Sequence, residues 1–127
     1  MKDSGIMILR RTLLSVVFAI PILSSVQASE PLRVRVLTYN IHHGEGTDGT
    51  IDLARIAAVI KRLAPDVVAL QEVDKATSRS RGVDQAAELG KLTGMQAAFG
   101  KAMDYAGGQY GEAILSKYPL TRVKVHA

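Results

Sequence analysis

The spacing of apolar and polar positions changes several times along this chain, and each change marks an element. Residues 33–40 (RVRVLTYN) alternate and are rich in β-formers, which predicts a strand. Residues 41–50 (IHHGEGTDGT) hold three glycines and predict a loop. Leu53, Ile56, Val59, Ile60 and Leu63 then recur at three- and four-residue spacing, with Arg55, Lys61 and Arg62 on the other side. That pattern predicts a helix over 52–64, with Asp52 as N-cap and Ile51 placed to pack on Ile56. Pro65 ends it, because the residue before proline avoids helical geometry. Residues 66–73 (DVVALQEV) follow at once with a continuous apolar stretch, the pattern of a strand buried on both faces. Strand, helix and strand with short joints predict a βαβ unit with parallel strands.

The pattern is weaker beyond that unit. Residues 74–83 are polar and predict a loop, and 84–93 predict a second helix capped by Asp84 and closed by Gly94. A strand is predicted over 95–101 and a glycine-containing turn over 103–109. Residues 110–116 and 120–126 are then expected to pair as a hairpin, with Tyr118-Pro119 at the corner. The fold class is α/β.

The first 28 residues break this order. Lys2, Arg10 and Arg11 precede an apolar run of 11 residues, Leu13 to Leu23. Val26-Gln27-Ala28 then offers small residues at the −3 and −1 positions for cleavage before Ser29. Eleven residues are too few to cross a bilayer core of about 30 Å as a helix. The expected organisation is a signal peptide over 1–28 and a domain over 29–127, exported to the periplasm or beyond and not inserted in a membrane. An uncleaved N-terminal anchor is the alternative.

Composition adds limits. A hydrophobic fraction of 47% supports a packed core rather than disorder. The absence of cysteine excludes a disulfide scaffold and thiolate metal sites, leaving oxygen or imidazole ligands. Residues 1–28 carry Lys2, Arg10, Arg11 and Asp3, so their removal lowers the net charge from +4 to +2. That excess is too small to argue for nucleic acid on electrostatics alone.

Two side chains sit where open α/β sheets place their sites, at the carboxyl ends of strands. Asn40 ends the first strand and Glu72 lies near the end of the buried one. A carboxylate there is costly unless solvated, paired or bound to a cation. Mg²⁺ favours hard oxygen ligands, commonly one or two carboxylates with water and substrate phosphate. The plainer reading is that Glu72 caps the strand in solvent and Asn40 begins a turn. His42 and His43 are adjacent, and on a strand-like segment they would point to opposite sides and not share an ion. One would then line the cleft and the other serve the structure. Lys75, Arg79 and Arg81 either attract an anionic substrate or form a solvated loop.

Three ordered blocks carry a resemblance. They are Leu37-Thr38-Tyr39-Asn40-Ile41-His42-His43-Gly44, then Asp66 to Val73 (DVVALQEV), then Tyr110 to Pro119 (YGEAILSKYP). Together they resemble the endonuclease/exonuclease/phosphatase family, which includes pancreatic-type deoxyribonucleases, and the Asp48-Gly49 and Asp52-Leu53 pairs resemble an exported bacterial branch of it. The resemblance implies part of a four-layer α/β sandwich, two β-sheets flanked by helices, with the C-terminal half missing. It implies a phosphoester hydrolase dependent on Mg²⁺ or Mn²⁺. Glu72 matches the family's metal-binding glutamate, and Asn40 the asparagine that helps organise the metal site. Both are therefore expected as catalytic and metal residues. Tyr110 to Ser116 matches a strand bordering the phosphate pocket, with Glu112 standing where many members of that branch have asparagine. The substrate class stays open among nucleic acid, a phospholipid head group and a small phosphate ester, as does the oligomeric state.

The family's histidine–aspartate pair and its Gly-Asp-x-Asn and Ser-Asp-His blocks do not occur here; the histidines are His42, His43 and His126. The chain alone is therefore expected to be inactive and marginally stable, with an exposed sheet face and an open strand edge. A non-catalytic exported binding module that keeps half of the fold is the alternative function.

Overall fold

The computed structural model describes residues 30–126. The expected signal segment, 1–28, lies outside the described residues. The elements run β1 (Val36–Asn40), a short 3-10 turn (His42–Gly44), α1 (Leu53–Leu63), β2 (Val67–Lys75), α2 (Gln85–Thr93), β3 (Gln96–Tyr105) and β4 (Gly108–Ser116). They form one mixed four-stranded sheet in the order β1-β2-β4-β3. β1 and β2 are parallel, with Val36 opposite Val67 and Asn40 opposite Gln71, which is the expected βαβ unit. No helix among the described residues is long and apolar enough to cross a membrane.

Both helices begin and end as their sequences dictate. The Asp52 side chain accepts from the Arg55 amide at the start of α1, and Ala64 closes the helix in the left-handed region. Asp84 accepts from the Ala87 amide at the start of α2, and Gly94 closes it with φ 73°. The core sits between these helices and one face of the sheet: Ala57 and Ile60 of α1 and Ala86 and Leu89 of α2 meet Val68, Leu70 and Val73 of β2 and Ala113 and Leu115 of β4.

β2 is thus buried on one face, not on both as its apolar run suggested. Val68 and Leu70 are inaccessible, whereas Val67, Ala69 and Gln71 between them are only partly covered. The cause is that α1 and α2 share one side of the sheet. On the other side a groove of about 200 Å³ runs past Ala69, Gln71, Ala98, Glu112 and Ile114, bounded by Val123 to Val125.

The expected hairpin of 110–116 with 120–126 does not form. β4 is flanked by β2 on one edge and β3 on the other, so it has no edge left for a later segment. The hairpin partner is β3, which runs on to Tyr105 and turns through Ala106 and Gly107, both at positive φ (47° and 79°). Two successive positive φ values fit a tight two-residue connection between twisted antiparallel strands. Residues 121–126 carry no strand and bend at Arg122, with φ 56°.

Gly111 shows how close β3 and β4 approach. A Cβ there would run into the Gly100 carbonyl and come within 2.9 Å of the Ala102 nitrogen. Gly111→Ala is expected to lower stability by about 1–3 kcal/mol through overpacking against backbone that cannot yield. Urea denaturation measures this; an unchanged midpoint would mean that the strands spread freely.

Candidate metal centre

The site forms where β1 ends and β2 bulges. Leu70 pairs with Ala113 and Val73 with Gly111, so Gln71 and Glu72 together oppose the single residue Glu112. The extra residue lets Val68, Leu70 and Val73 all stay in the core while Glu72 is turned out of the ladder. Glu72 takes φ 60°, a left-handed conformation that costs a non-glycine residue of order 1 kcal/mol or more. Such strain persists only where the surroundings impose it.

Asn40 reaches Glu72 from the end of β1. Its Nδ2 donates to Glu72 Oε1 at 2.8 Å, and its Oδ1 accepts from the His42 amide at 3.0 Å. The amide therefore has one orientation and holds the carboxylate in one place. The two residues singled out from the sequence are in direct contact.

The histidines are arranged differently from a strand-like expectation. His42, His43 and Gly44 have φ of 47°, 44° and 82°, a left-handed turn instead of an extended segment. This brings the two imidazoles to one side, with ring centroids 4.4 Å apart. His42 is exposed, whereas His43 is 6% exposed and its Nε2 lies 3.0 Å from Glu45 Oε2. Ligand atoms of His42, His43 and Glu72 all lie within 4.8 Å of one another.

A buried network that sequence reasoning missed supports this turn. Asp74 is fully buried and receives Arg79 Nε and Nη2 at 2.8 Å each, together with the Thr77 hydroxyl at 2.6 Å. Gln85, also fully buried, accepts from the Asp74 amide at 2.9 Å and donates to the His43 carbonyl at 2.7 Å. One glutamine thus ties the histidine turn to β2. The spacing Asp74, Thr77, Arg79, Ser80 was visible in the sequence, but only burial separates such a network from a polar surface loop.

Arg79 stacks near Tyr105 and Tyr110, 4.5 and 5.6 Å from their ring centroids. With His42, His43, Glu72 and Met103 these residues line a cleft of about 270 Å³. Burial pushes the Tyr110 hydroxyl above its ordinary pKa, and the negative charge of Glu72 pushes it the same way. Of the three cations considered together, only Arg79 reaches this cleft: Lys75 pairs with Asp84, and Arg81 lines an adjoining groove. Glu112 lies on the open face of the sheet and not in the cleft, while Tyr110 is in it. His126 is exposed and outside the cluster.

The residues present fit a divalent cation. Glu72 is a carboxylate turned out of its strand at a conformational cost, held by a neutral amide rather than neutralised by a base. Among the described residues, the carboxylate hydrogen-bonded to a histidine is Glu45 on His43, and no histidine–aspartate pair stands at the cleft.

Known proteins share this chain's sequence pattern and fold. The sequence profile of the Endonuclease/Exonuclease/phosphatase family matches residues 37–127. The chain is similar to a solved endonuclease/exonuclease/phosphatase from Beutenbergia cavernae DSM 12333, with 30% identity and a TM-score of 0.52, over 68% of this chain and 26% of that one. It shares the fold of an endonuclease/exonuclease/phosphatase family protein from Leptotrichia buccalis C-1013-b, with 16% identity and a TM-score of 0.52, over 70% of this chain and 40% of that one. The chain thus spans well under half the length of either. No curated protein matches it.

Proposed function

As this chain belongs to the endonuclease/exonuclease/phosphatase family, we propose that it is the metal-binding part of an exported phosphoester hydrolase dependent on Mg²⁺ or Mn²⁺. The observation that carries this reading is the strained, amide-held Glu72 where β1 ends and β2 bulges. Glu72 would hold the ion and Asn40 would fix the carboxylate. The bound ion would supply charge that polarises a phosphate and stabilises the leaving oxygen. Arg79 adds a guanidinium whose Nη1 has no protein hydrogen bond among the described residues, suited to an anionic phosphate oxygen. Tyr105, Tyr110 and Met103 line the cleft beside it. The substrate is a phosphate ester, with nucleic acid, a phospholipid head group and a small ester all compatible. Export rests on the pattern of residues 1–28.

In isolation the chain is expected to bind the ion without turning substrate over, because the described residues place no histidine–aspartate pair at the cleft to activate water. The chain has four tyrosines and no tryptophan, so tyrosine emission reports on the cleft residues Tyr105 and Tyr110. Titration with Mn²⁺ should give a saturable change that Glu72→Ala removes, with no hydrolysis of bis(p-nitrophenyl) phosphate. Absence of binding would overturn the metal reading in favour of a metal-free binding module. Hydrolysis lost in Glu72→Ala would instead overturn the inactivity of the chain.

A further inference from the structure

The donor set at the cleft is richer than a lone carboxylate. Eight non-glycine residues adopt positive φ among those described, and they include all three members of the His42, His43 and Glu72 cluster. Ala64 closes a helix and Ala106 makes a hairpin turn, so their conformations have local causes. The two histidines form a turn closed by the Gly44 amide on the Ile41 carbonyl, with imidazoles at positions where glycine would be unstrained. Left-handed geometry at consecutive non-glycine residues is disfavoured, and strain of this kind concentrates at binding sites.

The turn is also over-determined from outside. The His42 amide is bonded by Asn40, the His43 carbonyl by Gln85, and the Gly44 amide by the Ile41 carbonyl. Each of these bonds keeps the imidazoles on the side of Glu72. His43 presents a further sign: its Nε2 is taken by Glu45, leaving Nδ1 as the free nitrogen. A carboxylate on the far nitrogen fixes tautomer and ring orientation, as in the outer shell of metal-ligating histidines.

We propose that His42 and His43 join Glu72 as ligands, so that the site also accepts imidazole-favouring ions such as Zn²⁺ or Co²⁺. Imidazole suits these ions, whereas Mg²⁺ takes oxygen ligands in near-octahedral order. Two histidines and one glutamate make a three-ligand set that leaves a position open for substrate. Ligands of a tetrahedral zinc stand about 3.4 Å apart at ordinary bond lengths. The three side chains, within 4.8 Å of one another, need only rotamer-scale movement to reach that spacing. This inference rests on the proposed function in one respect, the role of Glu72 as a ligand.

The test is a titration of the tag-free full chain with Co²⁺, followed by its visible absorption, with Mg²⁺ measured in parallel by tyrosine emission. His42→Gln alters an exposed side chain and should leave the circular dichroism unchanged. It is expected to weaken Co²⁺ binding by more than about tenfold and dim the absorption bands, with Mg²⁺ binding intact. Glu45→Gln should weaken Co²⁺ by about tenfold or more through the His43 ring. Co²⁺ affinity unchanged in His42→Gln, but lost in Glu72→Ala, would overturn the histidine ligands and leave the proposed function standing. Metal binding unchanged in Glu72→Ala would overturn that function and this inference together.

Discussion

Replacing Arg79 with methionine is expected to destabilise the chain by about 3–5 kcal/mol at neutral pH, the cost of leaving a buried charge without its partner. Asp74 is fully buried, and its two carboxylate oxygens are held by Arg79 and Thr77. Burial pushes the Asp74 carboxyl up, but the Arg79 and Thr77 hydrogen bonds and the charges of Arg79 and His43 outweigh it, leaving the group below the usual carboxylate range. A folded pKa below the unfolded one gives stability that is present above the unfolded value and is lost as pH falls through the folded value. In Arg79→Met burial dominates, the pKa rises above the unfolded value of about 3.9, and stability is lost as pH increases. The gap between the two proteins should therefore be widest near pH 7 and shrink towards about pH 4. Urea midpoints at the two pH values measure it. An equal gap at both would mean that Arg79 acts through packing and not through Asp74.

Gln85→Leu is expected to cost about 2–5 kcal/mol and to loosen the metal centre. Its side chain satisfies two buried backbone groups in different segments, the Asp74 amide and the His43 carbonyl. Leucine has a comparable volume, so the loss is mainly of hydrogen bonds, each orphaned group costing about 1–3 kcal/mol. The consequence specific to this fold is local. With the His43 carbonyl released, the left-handed turn loses the bond that ties it to β2. Hydrogen exchange should accelerate at residues 42–45 and at the Asp74 amide before it does in α1. Uniform acceleration across all elements would show a general loss of stability with no special tie between the turn and β2.

These two residues also mark where the sequence was readable. The βαβ unit, both N-caps and the glycine after α2 follow from periodicity and capping chemistry, which are local and were assigned close to where they lie. Asn40 and Glu72 could be singled out because strand ends are where open sheets place their sites, and the structure joins them by one hydrogen bond. The β3–β4 hairpin was missed because the turn predicted over 103–109 is in fact only Ala106-Gly107, with its flanks belonging to β3 and β4. The remaining segment was then paired with a strand that has no free edge. The histidine turn and the Asp74 network were missed for another reason. Whether a histidine pair is extended or left-handed depends on partners such as Gln85, 42 residues from His43, and whether Asp74, Thr77 and Gln85 are solvated or buried depends on how helices and sheet pack around them. Neither spacing nor propensity carries that information.

The central claim is that an ion sits at Glu72, and Mn²⁺ as a paramagnetic probe locates it directly. Amide cross-peaks of the isotopically labelled chain, followed by NMR as substoichiometric Mn²⁺ is added, should broaden first at residues 40–44, 71–73 and 110. Glu72→Ala should remove that pattern. Broadening centred instead on the carboxylates of Asp48 and Asp52, or spread evenly along the chain, would contradict a metal centre where β1 ends and β2 bulges.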